Sequence, residues 1–135
     1  MSETLPHSGS QVPRPAISRS AADALVEMAA DRGHAVIALD LSHCANKSEL
    51  LAATAQAFRF PDWFGHNWDA LADSLADLSW LPAPGYLLII ERYTALASAA
   101  PEAWLTFIDI LDETQAQLGD DGTPWRWHLV DSATP

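Results

Sequence analysis

The sequence predicts a small α/β domain in which helices pack against a three-stranded, mostly parallel sheet. Two short and nearly continuous apolar runs, residues 35–39 and 86–90, are typical of strands that are buried on both faces. Segments with helical spacing of apolar residues lie between the expected strands, and this alternation favours a parallel sheet. A third strand, with more alternating polarity, is expected over residues 125–130.

Capping residues locate the helices between these strands. Ser20 can cap the first helix and Gly33 can end it, and Asn67 is a good N-cap for the third. The second helix can begin at either Asn46 or Ser48, and Gly119 is expected to end the fourth. The predicted helices span residues 21–31, about 48–58, 68–79 and 101–118.

The net charge limits the kinds of partner that this protein can bind. It is −11, from 18 acidic and 7 basic residues, whereas binding to nucleic-acid phosphates or anionic membranes requires clustered Lys and Arg. We therefore expect no direct contact with nucleic acid and no membrane association. A basic protein remains a suitable partner, including one that itself binds nucleic acid.

A chain of 135 residues that is 49% hydrophobic can form one domain with a hydrophobic core that needs no disulfide or metal. We expect a flexible N-terminal tail over residues 1–19 and a single domain over 20–135, because the first stretch is rich in Pro and Ser. That stretch does not resemble a signal peptide, and Cys44 is the single cysteine. These features predict a cytoplasmic protein.

The third predicted helix carries a row of carboxylates. Asp69, Asp73 and Asp77 are spaced four apart, so they share one helix face and drift by about 40° per step. Like charges at this spacing repel, and the chain has no Lys or Arg between Phe60 and Ile90 to relieve the repulsion. The row is either a solvated surface or a face built to bind a cationic partner.

Two large aromatic residues, Trp63 and Phe64, precede this helix in a loop beside Gly65. Rigid aromatic side chains next to charges commonly anchor protein interfaces. The alternative is that they cover the hydrophobic core, which we favour for Phe64.

The segment that contains this loop and helix resembles the signature of the barstar family. The match has fixed spacing over about 15 residues, and the order of strand, long helix and last strand that follows also agrees. It covers residues from about 34 to 131. The matching positions are Pro61, Asp62, Trp63, Phe64, Gly65, Asn67, Trp68, Asp69, Ala70, Leu71 and Asp73.

The resemblance implies an intracellular inhibitor of a basic secreted or toxin ribonuclease, with an acidic helix and loop that block the active site. By motif position, Asp73 would replace a substrate phosphate and Asp69 would support it. Trp63 would stack on an active-site group, while Gly65 and Asn67 would shape the loop.

Two further carboxylates belong to the predicted interface. Asp77 continues the acidic row, and Glu102 corresponds loosely to a family glutamate near the start of the long helix. The resemblance implies an inhibitor, and the sequence contains no P-loop and no zinc-ligand spacing. We therefore expect no enzyme activity, no cofactor and no metal, and we expect the free protein to be a monomer.

The sequence also departs from the family pattern. Ala72 and Trp63 stand where founding members have a tryptophan and a tyrosine, and Asp77 replaces a small residue. Specificity often depends on such positions. An alternative is therefore a barstar-fold immunity or regulatory module for a different toxin nuclease or a non-nuclease partner.

Other chemistry receives less support from the sequence. His66 with Asp62 or Asp69 could form an acid–base pair, but an exposed loop histidine explains it as well. His43 and Cys44 lack the further ligands of a metal or redox site. The second acidic group is predicted to be a solvated helix face and turn, and it comprises Asp109, Asp112, Glu113, Asp120 and Asp121.

Overall fold

The computed structural model describes residues 15–62 and 64–131. The elements in these residues are α1 (Arg19–Asp31), β1 (Ala35–Asp40), α2 (Lys47–Phe58), α3 (Trp68–Asp77), β2 (Tyr86–Glu91), α4 (Thr94–Ala99), α5 (Pro101–Asp120) and β3 (Trp125–Leu129). None of the described helices combines the length and apolarity that crossing a bilayer requires.

The predicted α/β class and parallel sheet are confirmed. The three strands lie in the order β1-β2-β3, and both neighbouring pairs are parallel. Tyr86, at the start of β2, is in register with Ala35 on one side and Trp125 on the other. The central strand is buried from Tyr86 to Ile90, as its continuous apolar run predicts.

The prediction that β1 is buried on both faces is wrong. Ile37 and Leu39 are buried, whereas Val36 and Ala38, on the opposite face, are exposed. The reason is the position of β1 at the edge of the sheet. The apolar side chains of α1 cluster with Leu87 and Ile89 of the central strand and with Val130. They therefore leave the outer face of β1 uncovered.

Helix α1 begins earlier than predicted, and its cap is Ser18 rather than Ser20. The Ser18 hydroxyl accepts a hydrogen bond from the Ala21 N–H at 3.1 Å. Just before it, the Ile17 N–H donates to the Leu129 carbonyl and the Ile17 carbonyl accepts from Asp131, both at 2.8 Å. Part of the segment predicted as tail therefore contacts the sheet edge, while residues 1–14 lie outside the described residues.

Capping side chains and residues with positive φ set the ends of the other helices. Asn46, not Ser48, caps α2. Helix α3 stops at Asp77, two residues before the predicted end, because Leu78 adopts a left-handed conformation with φ of 46°. Helix α5 continues through Gly119 and ends before Gly122, whose φ of +89° suits glycine. The short helix α4 was not predicted.

The main core lies on the face of the sheet that α2, α3 and α5 cover. It contains large side chains from each helix together with the inward residues of the strands. The fully buried members include Leu50, Phe58, Leu71, Leu75, Leu88, Ile90, Phe107, Leu111 and Trp127. Helix α1 packs on the other face, so the sheet separates α1 from α3.

Candidate protein-binding face

Asn67 fixes the start of α3 and ties it to the preceding loop. Its side-chain oxygen accepts a hydrogen bond from the Ala70 N–H at 2.7 Å, which satisfies one of the free donors at the helix end. Its side-chain nitrogen donates to the Gly65 carbonyl at 3.3 Å. One side chain therefore sets the angle between the loop and the helix.

Helix α3 has the two faces that its sequence predicts. Leu71 and Leu75 are buried in the core. Asp69, Asp73 and Asp77 are all exposed, and none of the three forms an ion pair with a described residue. The helix thus presents three carboxylates to solvent on a rigid, packed element.

The loop is anchored through Phe64. Its side chain is 5% exposed, and its ring centroid lies 4.7 Å from that of Phe60. Phe60 in turn stacks on Phe58 at 5.7 Å and meets Trp80 edge-on at 5.7 Å. The expectation that Phe64 covers the core is confirmed, whereas Trp63 lies outside the described residues and its predicted stacking stays a prediction.

Gly65 leaves room for the cap. A Cβ atom at this position would lie 3.1 Å from the side-chain nitrogen of Asn67 and 3.6 Å from the Ala70 Cβ. Since the Asn67 amide is held by hydrogen bonds on both its atoms, a side chain at Gly65 would press on the cap. Gly65 therefore has a steric role in the loop, beside its predicted role at the interface.

His66 is exposed, and its contacts are with the loop. Its Nδ1 lies 3.1 Å from the Phe64 carbonyl, and its ring centroid lies 4.8 Å from that of Phe64. Its φ of 54° is left-handed, a conformation that histidine adopts more readily than most residues. Among the described residues, neither Asp62 nor Asp69 is hydrogen-bonded to this ring.

Glu102 and the start of α3 meet across an open groove. This groove of about 560 Å³ is lined by Trp68 of α3, by Lys47 at the start of α2 and by Glu102 in the first turn of α5. The Lys47 ammonium lies over the Trp68 ring, 5.2 Å from its centroid. Sequence reasoning missed Lys47, because only the tertiary packing of α2 brings this cation to the acidic face.

Asp77 lies at the other end of α3. Its carboxylate accepts a hydrogen bond from the Ser79 hydroxyl at 3.3 Å, and it lines a small groove with Leu118 and Thr123. Ten helical residues span about 15 Å, so Asp77 and Trp68 mark opposite ends of the face. The structure therefore places Glu102 near the Asp69 end of the row and Asp77 at the far end.

The second acidic group is not uniformly a solvated surface. Asp112 is half-buried, and its carboxylate accepts a hydrogen bond from the indole N–H of Trp127 at 3.0 Å. The prediction is therefore wrong for Asp112, whose carboxylate oxygen accepts from a strand residue that is distant in sequence. It is also wrong for Asp109, which is half-buried and has a buried Oδ1 atom. Glu113, Asp120 and Asp121 are exposed, as predicted.

Cys44 is buried, and its thiol donates to the Glu49 carbonyl at 3.5 Å. Burial raises the pKa of the Cys44 thiol, and the carboxylates of Glu49 and Asp40 add to the shift. Within residues 15–62 and 64–131, no three side chains of His, Cys, Asp or Glu are grouped so that they could hold a metal ion.

Comparison with known protein families identifies a match over most of the chain. The sequence profile of the family described as Barstar (barnase inhibitor) matches residues 34–130, and α1 lies outside this region. No curated protein matches the chain. The family is one of inhibitors, and its profile spans both the loop and α3 together with all three strands. The chain belongs to the Barstar family.

Proposed function

We propose that this protein inhibits a basic, barnase-like ribonuclease, and that it does so by covering the active site with α3 and the loop before it. The observation that carries the proposal is the row of three exposed carboxylates on a capped, packed helix within the Barstar match. The free protein would act as a monomer in the cytoplasm. The ribonuclease would be a secreted or toxin enzyme.

The chemistry of a ribonuclease site explains why carboxylates suit this task. Such a site uses Lys, Arg and His side chains to hold a substrate phosphate, and a carboxylate can accept the same charge-assisted hydrogen bonds. Asp73 is the middle member of the row, and it has no partner among the described residues that binding would have to displace. We assign Asp73 the position of the phosphate and Asp69 a supporting contact.

The rigidity of the face lowers the cost of binding. Asn67 holds the loop against the helix, and Phe64 anchors the loop in the core. Less conformational freedom is then lost on association, so more of the contact energy appears as affinity. Gly65 lets the loop approach the cap closely, and Trp63 is proposed to stack on an active-site group.

The groove at the Asp69 end extends the proposed interface to α5. Glu102 adds a carboxylate at the groove, and the Trp68 ring adds an apolar surface. Lys47 is the exception on this face, since it brings a positive charge next to Trp68. We propose that Glu102 contacts the rim of the ribonuclease site and that Asp77 makes a peripheral contact at the opposite end.

An inhibition assay tests this proposal. The full-length protein is mixed with a panel of small basic ribonucleases that includes barnase, and RNA cleavage is measured at low and high salt. We expect stoichiometric inhibition of at least one enzyme. We expect Asp73→Ala to weaken binding by at least about 30-fold, the loss typical of a hot-spot residue.

Glu27→Ala serves as the matched control. Glu27 is an exposed carboxylate on α1, on the other side of the sheet from α3, so its loss changes the net charge equally. We expect its affinity to stay close to that of the wild type. Inhibition of no enzyme in the panel, or an affinity that Asp73→Ala leaves unchanged at both salt concentrations, would contradict the proposal.

A second candidate is a barstar-fold module for a different target. Two features of the face favour it: Ala72 replaces a family tryptophan, and the Lys47 cation lies beside Trp68. Both change the shape and charge that a partner meets. Tight, Asp73-dependent binding to a DNA-cleaving toxin, without inhibition of any ribonuclease, would select this alternative.

A further inference from the structure

A second groove lies on the side of the sheet opposite α3, between the end of α1 and the start of β3. It has a volume of about 410 Å³. Leu87 and Tyr86 form part of its buried floor, while Met28, Arg32 and Arg126 are exposed at its rim. Since α1 lies outside the region that matches the family, this groove is built partly by a helix added to the Barstar domain.

The charge of the groove is opposite to that of the chain as a whole. Arg32 and Arg126 line it together with His34, and none of the described residues that line it is acidic. Two other arginines of the described chain have carboxylate partners: Arg19 lies 2.6 Å from Glu91, and Arg92 lies 3.6 Å from Asp40. Arg59 has no carboxylate partner among the described residues, but it does not line the groove.

Neither Arg32 nor Arg126 has such a partner in the described residues. The groove thus holds two guanidinium groups that have no carboxylate partner among the described residues, in a chain with 18 acidic and only 7 basic residues. Their arrangement complements an anionic occupant.

The groove also offers an apolar contact surface. Met28 is 48% exposed, more than the other two exposed large apolar side chains among the described residues, Leu105 at 45% and Val36 at 38%. Methionine adapts its shape to an occupant, and here it lies near Leu25 and above the buried Leu87. The occupant should therefore carry an apolar side chain as well as negative charge.

We propose that this groove binds an acidic, amphipathic peptide segment of a second protein. An apolar side chain of the segment packs on Met28 and Leu87, and its carboxylates pair with Arg32 and Arg126. The exposed rim allows a chain to pass through the groove. Because the sheet separates this groove from α3, the segment and a partner bound to α3 can be held at the same time.

Two other occupants fit the charges less well. Residues 1–14 of the same chain contain one acidic residue, Glu3, and one basic residue, Arg14, so they offer no net negative charge. A second copy carries acidic faces, but two chains with a net charge of −11 each repel one another. The charge complementarity therefore favours a separate acidic partner.

Selection from a displayed library of random 12-residue peptides, with the full-length protein as bait, tests the proposal. We expect enriched peptides to combine Asp or Glu with aliphatic or aromatic residues. Arg126→Gln and Arg32→Gln should each weaken their binding by about tenfold or more, the loss expected for a charge-assisted hydrogen bond. Asp73→Ala should leave this binding unchanged, which separates the result from the proposed ribonuclease inhibition.

Arg59→Gln is the matched control, because Arg59 is an exposed arginine that does not line the groove. Enrichment of no acidic peptide, or equal losses for Arg59→Gln and Arg126→Gln, would overturn the proposal. Competition by a synthetic peptide of residues 1–14 would make the chain's own N-terminal segment the occupant. Self-association that Arg126→Gln abolishes would make it a second copy, and either result would also overturn the proposal.

Discussion

Single side chains in the binding loop serve both the stability of the helix and the shape of the proposed interface. Asn67 caps α3 and also holds the Gly65 carbonyl, so the loop and the helix move as one unit. Asn46 makes the same kind of cap for α2, accepting from the Glu49 N–H at 2.9 Å, but it lies outside the proposed contacts. Variants of Asn46 and Asn67 therefore separate the effect of a cap on stability from its effect on binding.

We predict that Asn67→Ala and Asn46→Ala each lower the free energy of unfolding by about 1 kcal/mol, because each removes an N-cap hydrogen bond. Urea unfolding followed by circular dichroism measures both losses. Only Asn67→Ala should also weaken binding to the inhibited ribonuclease, since it frees the loop. Equal effects of the two variants on binding would show that the cap acts through stability alone.

Asp112 illustrates a residue whose role could not be inferred from its neighbours in sequence. It lies among acidic residues that are typical of a solvated helix, yet Trp127 of β3 donates its indole N–H to it. We predict that Asp112→Ala lowers the free energy of unfolding by about 1–3 kcal/mol, because it removes the carboxylate that accepts from the buried Trp127 indole N–H. Thermal or urea unfolding measures this loss.

Glu113 is the control for this prediction, because it is adjacent in sequence and exposed. Glu113→Ala should change the free energy of unfolding by less than about 0.5 kcal/mol, as is usual for surface substitutions. A loss for Asp112→Ala no larger than that for Glu113→Ala would contradict the structural role of Asp112.

Among the elements, α3 combines a stable apolar face with an acidic face that opposes its own stability. The carboxylates repel along the helix, and Asp77 stands in the last turn, beside the negative end of the helix dipole. A helix selected for stability alone would interleave cations with these carboxylates and would place a cation rather than Asp77 in the last turn. The arrangement is consistent with a face that trades stability for binding.

We predict that Asp77→Ala raises the free energy of unfolding by about 0.5–1 kcal/mol, because alanine has the better helix propensity and the dipole penalty disappears. Asp69→Ala is the comparison, because Asp69 lies in the first turn, where its charge is favourable. There the gain in helix propensity is offset by the loss of the favourable charge–dipole interaction, so the free energy of unfolding should change less. Urea unfolding at low salt measures both. A destabilised Asp77→Ala variant would contradict this account of α3.

Most helices and strands were predictable because residues close in sequence determine them. The wrong or missing predictions concern features that depend on where an element lies in the folded domain. The cap Asn67 and the apolar run of β2 act through nearest neighbours, so their sequence signals were sufficient. For the second helix the sequence left two caps open, and the structure selects Asn46 over Ser48. The exposure of Val36 depends on which strand lies at the edge, which no local pattern encodes. The position of Lys47 beside the acidic face likewise depends on the packing of α2 and not on the local sequence.

At the scale of the whole molecule, the two proposed binding sites lie on opposite faces of the sheet and differ in charge. The α3 side presents an acidic row, while the groove beside α1 holds two arginines without carboxylate partners in the described chain. The net charge of −11 alone cannot distinguish a specific binding face from a uniformly acidic surface. Two double variants with equal changes of charge make this distinction.

Asp69→Asn combined with Asp73→Asn removes two charges from α3, and Glu27→Gln combined with Asp31→Asn removes two exposed charges from α1. Stopped-flow association with the inhibited ribonuclease, at low and high salt, measures the rate and affinity of each. Electrostatic steering speeds association most at low salt, and it depends on charges close to the contact.

This measurement tests the central claim, that the α3 face rather than the overall charge recognises the ribonuclease. We predict that the α3 variant loses at least about 100-fold in affinity and much of its salt dependence, since two hot-spot contacts are removed. The α1 variant should stay close to the wild type. Equal losses for the two variants, or a wild-type affinity in the α3 variant, would contradict the claim.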